Sequence, residues 1–218
     1  DDLPEDERAD FREMVGDAEE GVGRVISIVI DLRSFTRGQQ TMRESLPIKN
    51  TVEMARRLVS SDLSGIKFED TVPDGLLVEG NENQLCQIFV NLIQNATQSM
   101  DAARQRGEDP LIRVSGQAIP GGRVQMTVRD NGSGIRPEDL ENIFDPFFTK
   151  REVGEGMGLG LSIVHRIIDS HGGRIEVKSE LDRFTEFSIT LPGTLNEDHG
   201  PGLDHSGPPH HATAITTT

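Results

Sequence analysis

Apolar residues recur in alternating steps of four and three along the first part of the chain. The series is Phe11, Val15, Ala18, Val22, Val25, Val29 and Leu32. This heptad spacing places an apolar seam along one face of a helix and indicates that the helix pairs with another. Gly16, Gly21 and Gly23 interrupt its first half, and each costs about 1 kcal/mol relative to alanine inside a helix. We therefore predict a long N-terminal helix that can fray before Val22 and that needs a helical partner.

The hydrophobic pattern changes after residue 47, where helices alternate with strands. The predicted elements are a helix around 52–59, strands 66–69 and 76–78, a helix over 83–103, strands 112–118 and 123–129, a short helix over 138–143, a helix over 159–171, and strands 174–179 and 185–191. This order predicts an α+β fold, a two-layer α/β sandwich in which a mixed sheet of about five strands carries three helices on one face. From Gly193 onward no periodicity remains, and the composition predicts a disordered tail.

Charge and composition exclude several functional classes. The 218 residues carry a formal net charge of −15, and much of the acidity lies in the first twenty residues, so no basic footprint for nucleic acid is expected. No apolar run reaches the roughly 18 to 20 residues of a membrane span. The single cysteine, Cys86, argues against a disulfide scaffold. We expect a cytoplasmic segment without membrane contact, although the full-length protein could be anchored upstream.

The helix predicted over 83–103 carries a stripe of uncharged amides. Its members are Gln84, Gln87, Asn91, Asn95 and Gln98, which fall on one side of the helix at about 100° per residue. A solvent face normally carries Lys, Glu and Arg, so the stripe favours a lined cleft over a polar surface. Amide oxygens can hold Mg²⁺ beside phosphates without adding negative charge.

Two glycine-rich loops follow. Asp130 ends a predicted strand and opens the loop Asp130-Asn131-Gly132-Ser133-Gly134-Ile135, in which glycines permit positive φ and the close approach of a flat base. The second loop, residues 154–161, opens a helix whose unpaired N–H groups suit an anion. It lacks the Lys-Ser/Thr ending of a P-loop.

Four motifs in this order resemble the ATP-binding domain of two-component sensor histidine kinases. Residues 91–96 are similar to its N box, 130–134 to its first glycine box, 144–148 to its F box and 154–161 to its second glycine box. The sequences Phe147-Phe148-Thr149 and Gln98-Ser99-Met100 are most similar to the nitrogen-regulator class of these kinases. The resemblance implies three segments: 1–40 as the second helix of a dimerisation hairpin, 41–193 as the ATP-binding catalytic domain, and 194–218 as the tail.

The resemblance also implies a role for each site residue. Asn95 would ligate Mg²⁺, Asn91 would stand beside it over the phosphates of ATP, Asp130 would bind the adenine amine, and Thr185 would support adenine through water. Lys150 and Arg151 would flank the lid over the triphosphate, and Asn91, Asn95 and Lys150 form the predicted catalytic set. Further nucleotide contacts are expected at Gly132, Gly134, Ile135, Gly156, Gly158, Leu159, Gly160 and Leu161. The three aromatic side chains of the F box, Phe144, Phe147 and Phe148, would pack the hinge of the lid.

Two departures from the family pattern matter. Asp182 and Phe184 occupy positions where glycines are usual, which leaves the geometry of that turn open. The family's phosphoacceptor histidine has no counterpart, since His165 and His171 lie where structural roles are expected. We therefore expect a histidine kinase fragment lacking its phosphoacceptor, or a kinase that acts on a histidine of another chain.

The expected partners of such a kinase are a second copy through the N-terminal helix, a histidine-bearing hairpin helix and a response regulator receiver domain. Three alternatives stay open: an ATP hydrolase of the same superfold, a nucleotide-binding module without turnover, and a serine kinase of the anti-sigma type. The hydrolases place a glutamate base where Asn91 stands. The serine kinases lack the hairpin helix that residues 24–37 resemble.

Overall fold

The computed structural model describes residues 43–150 and 157–194. The predicted N-terminal helix, Arg151, Gly156 and the predicted tail beyond Thr194 lie outside the described residues. Within them, no helix is both long and apolar enough to cross a membrane.

Seven strands and four helices make up the described part. The strands are β1 (Glu44–Pro47), β2 (Lys67–Thr71), β3 (Leu77–Gly80), β4 (Leu111–Ile119), β5 (Arg123–Asp130), β6 (Arg174–Glu180) and β7 (Phe184–Pro192). The helices are α1 (Ile48–Leu58), α2 (Glu82–Thr97), α3 (Asp101–Gln105) and α4 (Gly160–Ser170).

Five strands form one mixed sheet in the order β2-β4-β5-β7-β6. Only the β2–β4 pairing is parallel, and the other three are antiparallel. Strand β5 alternates buried residues with half-buried ones, and its buried side chains Val124, Met126 and Val128 join the core beneath the helices. The predicted two-layer architecture with a five-stranded mixed sheet is thereby confirmed. Strand β3 pairs instead with β1 in a small separate sheet, a pairing that the sequence pattern did not predict.

The helix predicted over 83–103 is interrupted, and this part of the prediction is wrong. Helix α2 ends at Thr97, and α3 begins only at Asp101. The carbonyl oxygen of Ser99 accepts from the N–H of Ser133 at 3.1 Å, so a tertiary hydrogen bond replaces a helical one at the break. The interruption brings the end of α2 against the loop that follows β5.

The short helix predicted over 138–143 is also wrong. The chain there forms successive turns, with the N–H of Asp139 donating to the carbonyl of Arg136 and the N–H of Asn142 to that of Asp139. These bonds span three residues, as in turns, and not the four residues of an α-helix.

Candidate active site

Asp130 is the buried charge of the site. Its side chain lies at the end of β5 with only 6% of its surface exposed, opposite Thr185 of β7 in the sheet register. Oδ1 accepts from the Gly132 N–H at 2.9 Å and from the Ser99 hydroxyl at 3.3 Å. Burial raises the pKa of Asp130 to about 6, against the opposing effect of hydrogen bonds from Gly132, Ser99 and Thr185. The fold therefore holds a carboxylate where its ionised form is costly.

The loop that carries Asp130 is held by contacts that the sequence did not reveal. The Asn131 side chain accepts from the Leu111 N–H at 2.8 Å and donates to the Asp109 carbonyl at 3.0 Å, which fastens the loop to the start of β4. The guanidinium of Arg106 donates to the carbonyls of Asn131 and Gly132. The turn sequence Asp-Asn-Gly is typical of an asparagine whose side chain bonds to backbone, as Asn131 does, whereas no local sequence pattern indicates the contacts of Arg106.

The turn between β6 and β7 closes the other side of this loop. Asp182 takes a left-handed conformation with φ of 57°, which Asp and Asn tolerate better than most residues. Its N–H donates to the Ser133 carbonyl at 2.7 Å. Gly134 has φ of 66°, and a Cβ there would lie 2.1 Å from the Glu180 carbonyl oxygen. Asp182 thus adopts the left-handed turn geometry without a glycine, and Gly134 is required by the close contact.

Thr185 lies beneath the same loop. It is 6% exposed, and its hydroxyl lies 3.2 Å from the hydroxyl of Ser179. Ser179 also accepts from the Ile135 N–H at 2.8 Å. The hydroxyls of Thr185 and Ser179 therefore connect the loop that follows β5 to the last two strands.

The amide stripe of α2 faces the start of α4. Asn91 is 7% exposed, and its Nδ2 donates to the Gly160 carbonyl at 3.0 Å. Gln87 donates to Asn91 Oδ1 at 2.9 Å. One turn further along α2, the Nδ2 of Asn95 is buried and has no hydrogen-bond partner among the described residues. Of the five amides in the stripe, Asn91 is buried, Gln84, Gln87 and Asn95 are half-buried, and Gln98 is exposed, so the lined cleft stays a prediction.

One helix joins the two halves of the site. The amides that face Gly160 lie in the middle of α2, and Ser99, which contacts Asp130, lies just beyond its end. Eight residues of helix correspond to about 12 Å, so α2 separates the amide contacts at Gly160 from the surroundings of Asp130 by about that distance.

The sequence that carries these features assigns the chain to a protein family. Residues 80–195 match the family model described as histidine kinase-, DNA gyrase B-, and HSP90-like ATPase. The chain belongs to this ATPase family. The resemblance that the four motifs indicated is confirmed.

Curated relatives of this ATPase-family chain are sensor kinases. It is 36% identical over 183 residues to the sensory histidine kinase/phosphatase NtrB of Azospirillum brasilense, an alignment covering 78% of this chain and 44% of the relative. It is 37% identical over 172 residues to the C4-dicarboxylate transport sensor protein DctB of Rhizobium meliloti, covering 77% of this chain and 26% of the relative. The chain thus spans less than half the length of these relatives.

Solved structures show the same fold. The mycobacterial sensor histidine kinase MprB superposes with a TM-score of 0.61 at 26% identity, covering 70% of this chain and 98% of that one. The catalytic domain of histidine kinase ThkA superposes with a TM-score of 0.60 at 28% identity, covering 70% of this chain and 96% of that one.

The F box of this ATPase domain holds the end of the predicted lid through its backbone. The Phe147 N–H donates to the Gly158 carbonyl at 3.0 Å, and a Cβ on Gly158, whose φ is 66°, would lie 2.4 Å from the Phe148 carbonyl oxygen. Phe144 and Phe148 pack against the core. The side chain of Phe147 does not pack there as expected. It is 70% exposed, and the backbone φ of Phe147 is 67°.

Lys150 lies in an ion pair. Its Nζ is 3.1 Å from Oδ1 of Asp139 and 5.6 Å from the ring centroid of Phe148. Burial alone would raise the pKa of Asp139, but hydrogen bonds from Lys150 and Arg136 outweigh it and hold that pKa below its ordinary value. The predicted phosphate contact of Lys150 stays a prediction, and Arg151 and Gly156 lie outside the described residues.

The two histidines among the described residues differ in burial. His171 is 2% exposed, Nδ1 lies 2.7 Å from the Ile167 carbonyl, and Nε2 accepts from the Asn81 N–H at 3.2 Å. Burial lowers the pKa of His171. His165 is exposed, and its ring lies 5.3 Å from that of Phe144.

The described residues therefore bring most of the predicted site together. Asp130, Gly132, Gly134, Ile135 and Thr185 lie together at the ends of β5 and β7. Asn91, Asn95, Gly160 and the flanking Leu159 and Leu161 lie where α2 meets the start of α4, and there Leu159 is buried and Leu161 packs against the core. Their roles in binding remain predictions.

Proposed function

We propose that this chain binds ATP with Mg²⁺ and donates the γ-phosphoryl group to a histidine of a dimerisation hairpin. The observation that carries the proposal is the buried carboxylate of Asp130. Its ionised form is costly in the ligand-free domain, and the exocyclic amine of adenine would supply a donor to it. Thr185 lies opposite in the register and would add a hydroxyl.

The amides of α2 fit a metal that arrives with the triphosphate. Within the described residues, no group of three or more His, Cys, Asp or Glu side chains could hold a metal ion. Mg²⁺ commonly keeps several waters and takes only one or two protein ligands beside substrate phosphates. Since no described residue bonds the nitrogen of Asn95, its amide can turn to present the oxygen. Bound there, Mg²⁺ would neutralise charge on the transferred phosphoryl group.

Transfer to a histidine is favoured over hydrolysis by the chemistry of Asn91. A hydrolase needs a general base to activate water, and an amide cannot accept a proton near neutral pH. The Asn91 amide is also committed to Gln87 and Gly160 on its two polar atoms. A neutral imidazole brings its own lone pair, so its nitrogen would attack the γ-phosphorus while the bond to the ADP oxygen breaks.

The partners proposed for the whole protein rest on its relatives. They are a second copy of the chain through the N-terminal helix, the histidine-bearing hairpin and a response regulator receiver domain. The domain boundaries 1–40, 41–193 and 194–218 are part of the same proposal. A nucleotide-binding module without turnover is the second candidate, since neither His165 nor His171 is placed as an acceptor among the described residues.

Calorimetry of ATP binding with and without Mg²⁺ tests the nucleotide site. Asn95→Ala should weaken binding in Mg²⁺ by about 1–3 kcal/mol, because a charged partner loses a ligand, and should change binding in a chelator much less. Gln94→Ala is the matched control, since this amide of the same helix donates to Asp62. Equal effects of the two substitutions would contradict the metal assignment.

A separately prepared hairpin with its histidine tests the transfer step. The chain should phosphorylate it from labelled ATP, because positioning and charge neutralisation supply most of the catalysis. Tight ATP binding without transfer or hydrolysis would favour the module without turnover, and rapid release of phosphate to water would favour the hydrolase.

A further inference from the structure

Gln87 belongs to a chain of hydrogen bonds that crosses from α2 to α4. It donates from Nε2 to Asn91 Oδ1 at 2.9 Å, and Asn91 donates from Nδ2 to the Gly160 carbonyl at 3.0 Å. Gln87 is half-buried, and Asn91 is 7% exposed. None of the roles described above uses Gln87.

The direction of these two hydrogen bonds is determined by the final acceptor, the carbonyl of Gly160. A backbone carbonyl can only accept, so the Asn91 nitrogen must face Gly160 and the Asn91 oxygen must face the other way. Gln87 presents a donor to that oxygen and therefore reinforces the orientation that Gly160 demands. An acceptor at position 87 would instead face the Asn91 oxygen. Relieving that repulsion would turn the amide over and break its hydrogen bond to Gly160.

Gly160 is the first residue of α4, next to the predicted lid. A carbonyl oxygen has two lone pairs, so Gly160 can accept from Asn91 and still take part in its own helix. Gly158, two residues earlier, is held from the other side by the Phe147 N–H at 3.0 Å. The bond from Asn91 thus helps to position the segment leading into α4.

We infer that Gln87 is a positioning residue for the phosphate end of the site, acting through the amide of Asn91. This inference rests on the proposed function. Gln87 orients Asn91, Asn91 ties the amide face of α2 to the start of α4, and the tie sets where the phosphates lie relative to the amides. The adenine end does not depend on it, because Asp130 is held by Gly132, Ser99 and Thr185.

The test compares ATP with adenosine in Gln87→Met and Gln87→Glu. Met keeps the length of the side chain without the hydrogen bond, whereas Glu reverses its polarity. ATP affinity should fall about 2- to 10-fold in Gln87→Met, the effect of one hydrogen bond, and further in Gln87→Glu. Adenosine affinity should stay within about 2-fold of wild type. Equal losses for both ligands, or a lower Tm with an unchanged ratio, would make Gln87 merely structural and overturn the inference.

A double-mutant cycle tests whether the effect passes through Asn91. Gln87→Met should cause no further loss of ATP affinity in an Asn91→Ala background, and an additive loss would overturn the inference. The ligand-free protein gives an independent measurement by NMR. Gln87→Met should shift the side-chain amide resonances of Asn91 and speed their exchange with solvent, and unchanged resonances would refute the tie. This measurement tests the orientation of Asn91 by Gln87 without any nucleotide, so failure of wild type to bind ATP would refute the proposed function and leave that orientation decided by NMR.

Discussion

Replacing the buried carboxylate of Asp130 should stabilise the ligand-free domain while impairing its recognition of adenine. A pKa of about 6 in place of 3.8 means that ionised Asp130 costs the folded state about 3 kcal/mol at neutral pH. Asp130→Asn removes that charge with little change in shape. The pKa of about 6 already includes the hydrogen bonds from Gly132, Ser99 and Thr185, but the NH₂ group of Asn cannot accept where a carboxylate oxygen did, and this offsets part of the gain. The net increase in the free energy of unfolding at pH 7.5 should be about 1–2 kcal/mol.

The pH dependence isolates the electrostatic part of this effect. Because the folded-state pKa is raised, the wild-type carboxyl contributes stability that is fully present below pH 3.8 and is lost as the pH rises through about 6. The advantage of Asp130→Asn over wild type should therefore shrink by about 1.4 kcal/mol between pH 7.5 and pH 5. Urea titrations at both pH values measure the difference directly.

Asp139 offers a matched control with the opposite sign. It is 7% exposed, as buried as Asp130, but its pKa is lowered because Lys150 and Arg136 outweigh the effect of burial. Its ionised form stabilises the fold above its unfolded-state pKa, so Asp139→Asn should destabilise the domain at pH 7.5 and less so as the pH falls.

Ligand binding completes this test. Wild type should prefer ATP to GTP, and Asp130→Asn should lose the preference, because a carboxylate accepts from the adenine amine whereas GTP offers a carbonyl oxygen there. Competition titrations measure the ratio. If Asp130→Asn were less stable than wild type by the same margin at both pH values, the desolvation argument would be refuted. Retained discrimination would show that Asp130 does not read the base.

Two further predictions concern the turn at Asp182 and the histidines. Asp182→Val should lower the free energy of unfolding by about 1–2 kcal/mol, because a β-branched residue is costly at φ of 57°, whereas Asp182→Gly should stay within about 0.5 kcal/mol of wild type; equal urea midpoints for the two variants would argue against strain at this turn. Incubated alone with labelled ATP and Mg²⁺, the chain should gain no acid-labile phosphate on His171, whose ring is buried and bonded at both nitrogens, nor on His165. Mass spectrometry that finds either histidine phosphorylated, with loss of the label on substitution by Gln, would make the domain self-sufficient.

The elements of this domain were largely predictable because their signals are local. Alternating apolar residues marked β5 and β7, and a helical period with a glycine stop marked α4. The position of Asp130 at a strand end and the uncharged stripe on α2 were also readable, since burial on one face leaves a periodic pattern in the sequence. These features were sufficient to predict the sheet and to select the candidate site residues.

Tertiary contacts decided the rest. Helix α2 ends at Thr97, and just beyond its end the carbonyl of Ser99 accepts from the N–H of Ser133, more than thirty residues away in sequence. Arg106 bonds to the loop that follows β5, and Asn91 bonds to Gly160, across separations that carry no periodic signal. Asp182 adopts a left-handed conformation in a turn where its N–H donates to the Ser133 carbonyl. The pKa of Asp130 is raised only once the folded chain buries its carboxyl group. Local propensity determines which segments become helix or strand, whereas the free energy of a buried polar group depends on neighbours that only the folded chain supplies.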